Sequence, residues 1–391
     1  MQNGQWIFTR RLNLKENQME NLYLNRTKLN LINLSDCISF GWAARNLPWF
    51  NGNSGRHSNG LTPVREFSVA ETDGKISTIV HGKELVPALL FNMMQLRKDA
   101  MELSSGEAKM ALFLSGGRAS SILAKIVPEG TLAVYIDIED ASNIGDLNAA
   151  KEVARLNKLL FTYITITKED YLNSIVDLTT SRAAPIHWME PAIFTAARIA
   201  METTGKCLNF YCGAAADIVT RELVNRFSMN TCSWMDVLPK ICPPVHRILS
   251  ESIPPDHVFT DNFLESGQFL SNVFMDEILV ENIRLAFANA VTTAGGIISF
   301  PYDCIDGPAG RLDTLPFVKE TSQRLYGELC PLEHSFQVTP DILGKWEPNK
   351  NLFQKDFINN PKMFNKDFPE TEWRAFAVDT FVALEEFWSI A

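Results

Sequence analysis

Four short apolar runs, at residues 110–114, 131–136, 161–166 and 207–211, are separated by segments whose apolar positions recur at helical spacing. Ile122, Leu123 and Ile126 mark the first such segment. Leu147, Ala150, Val153, Ala154 and Leu156 mark the second, and residues 191–203 form a third. The pattern predicts strand, helix, strand, helix, strand, then a further helix and strand, which is the arrangement of a doubly wound α/β fold on a parallel sheet.

The flanks read differently. Over the first hundred residues LNLINL, EFSVAE and ISTIVHG alternate apolar and polar positions, with Asp73-Gly74 predicting a hairpin turn between the last two. A loop rich in Asn, Gly and Ser covers residues 51–60, and a helical pattern over 84–103 is closed by Ser104-Ser105-Gly106. From about Val224 the chain is predominantly helical. Residues 274–290 are amphipathic, and Trp373, Phe376, Phe381, Leu384, Phe387 and Trp388 make an aromatic stripe suited to a core or to a subunit interface. Turns are expected around 299–303 and at Leu315-Pro316, with an extended surface region over 331–369. The reading gives two units, a small β-rich domain at 1–85 and an α/β domain with a helical carboxyl-terminal part at 86–391.

Composition narrows the function classes. A chain of 391 residues that is 46% apolar buries a large core. Its formal charge of −10, without a strongly basic run, argues against a nucleic-acid surface. No stretch reaches membrane-span length, and the opening MQNGQWIFTRRLNL lacks the apolar core of a signal peptide, so a cytoplasmic location is expected. Seven cysteines are scattered without metal-ligand spacing and read as reduced thiols. His187, beside Trp188, reads as a packed histidine.

The chemistry concentrates where strands end. Ser115-Gly116-Gly117 follows the first run and opens a helix. Such a turn aims backbone N–H groups and the positive end of a helix dipole at one point, and glycine lets an anion such as phosphate approach the backbone. The second run ends in Asp137, Glu139 and Asp140, and the fourth in Cys212-Gly213-Ala214-Ala215-Ala216-Asp217. In doubly wound sheets ligands bind outside these carboxyl ends. Asp217 then either faces the same ligand or caps a helix N-terminus.

In order along the chain these pieces resemble the synthetase domain of the asparagine synthetase family, whose relatives include β-lactam synthetase and lasso-peptide cyclases. The family pattern SGGxDSS is matched by Ser115-Gly116-Gly117-Arg118-Ala119-Ser120-Ser121. An acidic, Ala-rich helix is matched by residues 146–156, and a proline-led helix, strand and G-x-G-x-D-E turn by Glu190-Pro191 through Asp217. An E-x-R-x-P-F-x-D segment is echoed over residues 297–303, at Pro301, Tyr302 and Asp303. The resemblance implies a PP-loop sheet of the adenine nucleotide alpha hydrolase-like type and an ATP-dependent ligase or cyclase. In that chemistry a carboxylic acid or peptide is activated as an acyl-adenylate, pyrophosphate leaves, and an amine displaces AMP to give an amide. It further implies Ser115, Gly116, Gly117, Ser120 and Ser121 at the pyrophosphate and Phe113, Ile136, Cys212 and Gly213 at the AMP. Asp217 would hold Mg²⁺, with a catalytic lysine at Lys345 or, as the alternative, Lys350.

The departures from the pattern define a rival. The first magnesium-binding acid is Ala119 here, the residue assisting the amine step is Ala214, and the Glu of E-x-R is Ile297. Asp137 or Glu139 would have to replace the missing carboxylate, and Arg118 could offset phosphate charge. The first cysteine, Cys37, is internal, so glutamine hydrolysis is not expected. A catalytically silent binding protein, serving a partner enzyme or pairing as a homodimer, is the alternative.

Overall fold

A computed structural model of the chain describes residues 67–72, 77–139, 144–214, 281–306, 314–330 and 369–390, together with Cys37 and Leu343. Two short strands come first, β1 (Val69–Ala70) and β2 (Ser77–Thr78), then helix α1 (Gly82–Leu103) and strand β3 (Lys109–Phe113). Next are α2 (Arg118–Ile126), β4 (Leu132–Ile138), α3 (Ile144–Leu156) and β5 (Leu160–Ile166). Helices α4 (Lys168–Asn173), α5 (Ile175–Arg182) and α6 (Glu190–Thr204) lead to β6 (Leu208–Tyr211). The later elements are α7 (Glu281–Thr293), β7 (Ile297–Ser299), a 3-10 turn (Pro301–Cys304), β8 (Ile305–Asp306), α8 (Thr314–Tyr326) and α9 (Pro369–Ile390).

The central sheet has six strands, all parallel, in the order β1-β7-β6-β3-β4-β5. From β3 the chain winds outward to β4 and β5, then returns to the other side of β3 for β6 and β7. The carboxyl ends of β3 and β6 therefore flank the switch point, where an open α/β sheet leaves a crevice. Helices cover both faces. On the first, Ala192, Ile193 and Ala196 of α6, Phe287 and Val291 of α7 and Trp373 and Phe376 of α9 pack on Phe113, Val134 and Phe210. On the second, Leu85, Leu89 and Met93 of α1, Ile122 and Leu123 of α2, Ala150 and Val153 of α3 and Val318 of α8 pack on Leu112, Ala133 and Tyr211. Alternation of strand side chains separates the two sets.

Local chemistry sets the ends of the elements. The Glu84 carboxylate accepts the Val80 N–H (2.8 Å) and the His81 N–H (3.3 Å), closing a capping box at the start of α1. Pro191 occupies the first turn of α6, and Gly205 ends that helix in the left-handed conformation.

The strands and helices expected over 84–211 form with shifts of a few residues, but several expectations are corrected. Val69–Ala70 and Ser77–Thr78 are not hairpin partners: β1 runs parallel to β7, and β2 runs parallel to β8 in a separate two-stranded sheet. Strands this short take their register from whichever edge is offered, here one from the far end of the chain. Of the turn expected over 299–303, Ser299 closes β7 and the turn itself forms as the 3-10 segment Pro301–Cys304, whereas Leu315-Pro316 opens α8, where proline in a first turn leaves no hydrogen bond unmade. Asp73-Gly74, residues 51–60, Asp140 and most of 331–369 lie outside the described residues. No helix among the described residues is long and apolar enough to cross a membrane.

Candidate functional site

The loop after β3 is shaped by two glycines. Leu114 continues the ladder, its N–H donating to the Val134 carbonyl (2.9 Å), and Ser115 then emerges into solvent. Gly116 has φ of +84°, and a Cβ placed there would lie 2.2 Å from the Asp146 carbonyl oxygen, so the start of α3 rests directly on this glycine. Gly117 is the N-cap of α2, in extended conformation, and has no side chain to occupy the first-turn amides. The loop is tied to itself by two hydroxyls. Ser115 Oγ and Ser120 Oγ are 3.0 Å apart; Ser120 Oγ accepts the Ser115 N–H (3.3 Å) and donates to the Gly117 carbonyl (3.2 Å). Ser121 is fully buried, its hydroxyl turned back to the Gly116 carbonyl (3.5 Å) and bonded to the Cys330 thiol.

The turn after β6 closes on the same point. Cys212 N–H donates to the Ser299 carbonyl (3.0 Å), and Gly213 then passes against the first turn of α2. A Cβ at Gly213 would stand 2.8 Å from the Ser120 nitrogen and 3.0 Å from the Ala119 carbonyl carbon. Only glycine allows the β6 turn to approach the Ala119–Ser120 peptide this closely, so the turn after β6 rests on the first turn of α2. Burial pushes the Cys212 thiol up to about 12, so it stays neutral and contributes shape, not a nucleophile.

Phe113, Ile136 and Cys212 lie on the first face of the sheet, at the carboxyl ends of three adjacent strands. Phe113 stacks on Phe210 with ring centroids 4.6 Å apart, whereas Ile136 is partly exposed. Asp137 and Asp146 are buried on the second face. Tyr163 donates its hydroxyl to Asp137, and the Tyr135 hydroxyl is held above its ordinary range by burial and then by the charges of Asp146 and Asp137. Glu139 is exposed and accepts the Lys168 N–H (3.3 Å). Apolar periodicity gave no signal for these tyrosines, since an aromatic at a strand position reads as core. Asp217, Lys345 and Lys350 lie outside the described residues.

The three departures from the family pattern are all packing positions. Ala119 is 5% exposed and belongs to the second apolar cluster, with its carbonyl accepting the Tyr302 hydroxyl (3.0 Å). Ala214 is buried in the first cluster, and Ile297 is buried within β7. For a nucleotide the backbone fits: a glycine turn and a helix N-terminus without a side-chain cap stand at the switch point. For Mg²⁺ a methyl group at 119 supplies no ligand, and among the described residues no group of three or more His, Cys, Asp or Glu could hold a metal ion. Mg²⁺ in nucleotide sites uses one or two carboxylates with phosphate oxygens, and Asp137 and Asp146 are the buried carboxylates on this edge.

No protein-family model matches the chain, and no curated protein matches it.

Proposed function

We propose that the chain is an ATP-dependent amide-forming ligase or cyclase on a PP-loop sheet. It would activate a specialised carboxylic acid or peptide as an acyl-adenylate, with AMP and pyrophosphate as products. The supporting observation is the close approach of Gly213 to the Ala119–Ser120 peptide, which brings the glycine turns after β3 and β6 together at the switch point of the sheet. In this reading the loop residues 115–120 bind the pyrophosphate portion through N–H groups and the Ser115 and Ser120 hydroxyls. Phe113, Ile136, Cys212 and Gly213 bound the adenosine side. Asp217 is the proposed Mg²⁺ ligand and Lys345 the proposed catalytic lysine. Incubation with ATP, Mg²⁺ and a panel of carboxylic acids and peptides tests the reading; release of pyrophosphate that depends on one acid is the expected outcome.

The burial of Ala119 beneath Tyr302 favours a second reading, a silent relative that keeps the glycine turns and serves a partner. Calorimetric binding of ATP without pyrophosphate release for any acid supports it. Ala119→Asp separates the two further. Turnover gained by that variant means that the edge still supports chemistry, and unchanged silence favours the binder.

A further inference from the structure

The Ala119 carbonyl and the Ser120 N–H belong to one rigid peptide plane, so whatever grips the first aims the second. The grip is Tyr302. Its hydroxyl donates to the Ala119 carbonyl at 3.0 Å in a buried setting, the residue being only 5% exposed. Tyr302 is itself firmly carried, because Asn92 of α1, also buried, donates to the carbonyl of the preceding Pro301 (3.1 Å). Gly213 approaches the same peptide, a Cβ placed on it lying 2.8 Å from the Ser120 nitrogen and 3.0 Å from the Ala119 carbonyl carbon, so the turn after β6 also bears on its orientation. Farther along α2, Tyr326 donates to the Ser121 carbonyl (2.8 Å) while accepting from Asn157 Nδ2 (3.0 Å), tying the same turn to α8 and to the end of α3.

We infer that Tyr302, backed by Tyr326, is a positioning residue that orients the Ser120 amide toward an anionic ligand at the switch point. The inference rests on reading residues 115–120 as an anion loop. It also joins two departures from the family pattern, since the hydroxyl that makes the bond is the group by which Tyr302 differs from the Phe of P-F, and its acceptor is the backbone of Ala119, where the pattern has an acid. A hydrogen bond to a peptide carbonyl also polarises the N–H on the other side of that peptide, which strengthens it as a donor. The device uses backbone where the pattern uses a side-chain carboxylate.

Tyr302→Phe removes only the hydroxyl, and Tyr171→Phe is the matched control. Tyr171 is fully buried on the first face and donates to the Trp188 carbonyl, away from the loop. With protein carrying ¹⁵N-labelled serine, Tyr302→Phe is expected to move the Ser120 amide resonance and to speed hydrogen exchange at Ser121, whose N–H bonds to the Gly117 carbonyl. It is also expected to weaken binding of inorganic pyrophosphate about tenfold by calorimetry, a factor equal to about 1.4 kcal/mol. Tyr326→Phe should give a smaller change of the same sign, and Tyr171→Phe none at these serines. An unmoved Ser120 resonance in Tyr302→Phe, or equal movement in Tyr171→Phe, overturns the inference. If the unaltered protein binds no pyrophosphate, the anion-loop reading falls, and the inference falls with it even where the serine resonances move.

Discussion

On the face built from α5, α6, α7 and α9 a full carboxylate, Glu190, is 0% exposed and is met by the Arg182 guanidinium, by Asn289 Nδ2 and by the His187 N–H. On the face built from α1, α2, α3 and α8, the loop helix is held by neutral tyrosine hydroxyls on backbone carbonyls. Both arrangements fix elements that border the same sheet edge, but they fail differently. A buried ion pair that loses one partner leaves an uncompensated charge, which destabilises the whole fold. A neutral hydroxyl that is lost removes one bond of modest net strength, and the effect stays local. The rigid first face therefore carries the stability, and the second carries the orientation of the loop.

The largest expected effect tests the first half of that contrast. Burial raises the Glu190 pKa, opposed by Arg182, Asn289 and the His187 N–H, so the group sits in a costly site held by its partners. Glu190→Ala would take from Arg182, whose side chain is 7% exposed, the carboxylate it meets, and free Asn289 from one acceptor. We expect a loss of about 3–5 kcal/mol in urea unfolding. A loss below about 1 kcal/mol would show that the pair is not desolvated and would erase the contrast.

Gly116→Ala should have an intermediate and more local effect. The left-handed φ costs about 1 kcal/mol for a residue with a Cβ, and the contact with the Asp146 carbonyl must be relieved by displacing α3 or the loop. A total near 2 kcal/mol is expected, with anion binding lost out of proportion to stability. If calorimetry with pyrophosphate shows equal affinity in the variant and its parent, the loop is not the anion site.

What the sequence made legible follows from how local each signal is. The β3 loop is readable because apolar run, glycine pair and helical period are contiguous, and the structure keeps that contiguity as strand, turn and helix. The β6 turn was readable for the same reason. Residues 69–78 were misread as a hairpin because their partners, Ile298 to Asp306, are more than two hundred residues away, and pairing between distant edges leaves no local pattern. Tyr302 and Tyr326 were invisible as polar contributors because their hydroxyls act on backbone carbonyls, which carry no sequence identity. Glu190 was read as a match to a motif rather than as the centre of a buried network, since its partners Arg182 and Asn289 come from α5 and α7.

The smallest effect is a pH dependence, and it probes the charged face by titration. His187 Nδ1 accepts the Met189 N–H (3.3 Å), and its pKa is lowered to about 3 by burial and then by the positive charges of Arg182 and Arg374. In the unfolded chain the ring takes a proton near pH 6.5, while in the fold it remains neutral. The unfolded state therefore binds the extra proton between about pH 6.5 and 3, and stability falls as the pH drops through that window. The residue is half-buried, so solvent screening reduces the effect, and about 1–2 kcal/mol is expected between pH 7 and pH 5. Glu190 works with the opposite sign: its raised pKa favours the fold at low pH, and that contribution is lost as the pH rises through its folded value. Subtracting the profile of His187→Asn isolates the histidine, because asparagine keeps an acceptor for the Met189 N–H without titrating. A profile for His187→Asn as steep on the acid side as that of the parent would place the pH sensitivity in groups other than this histidine.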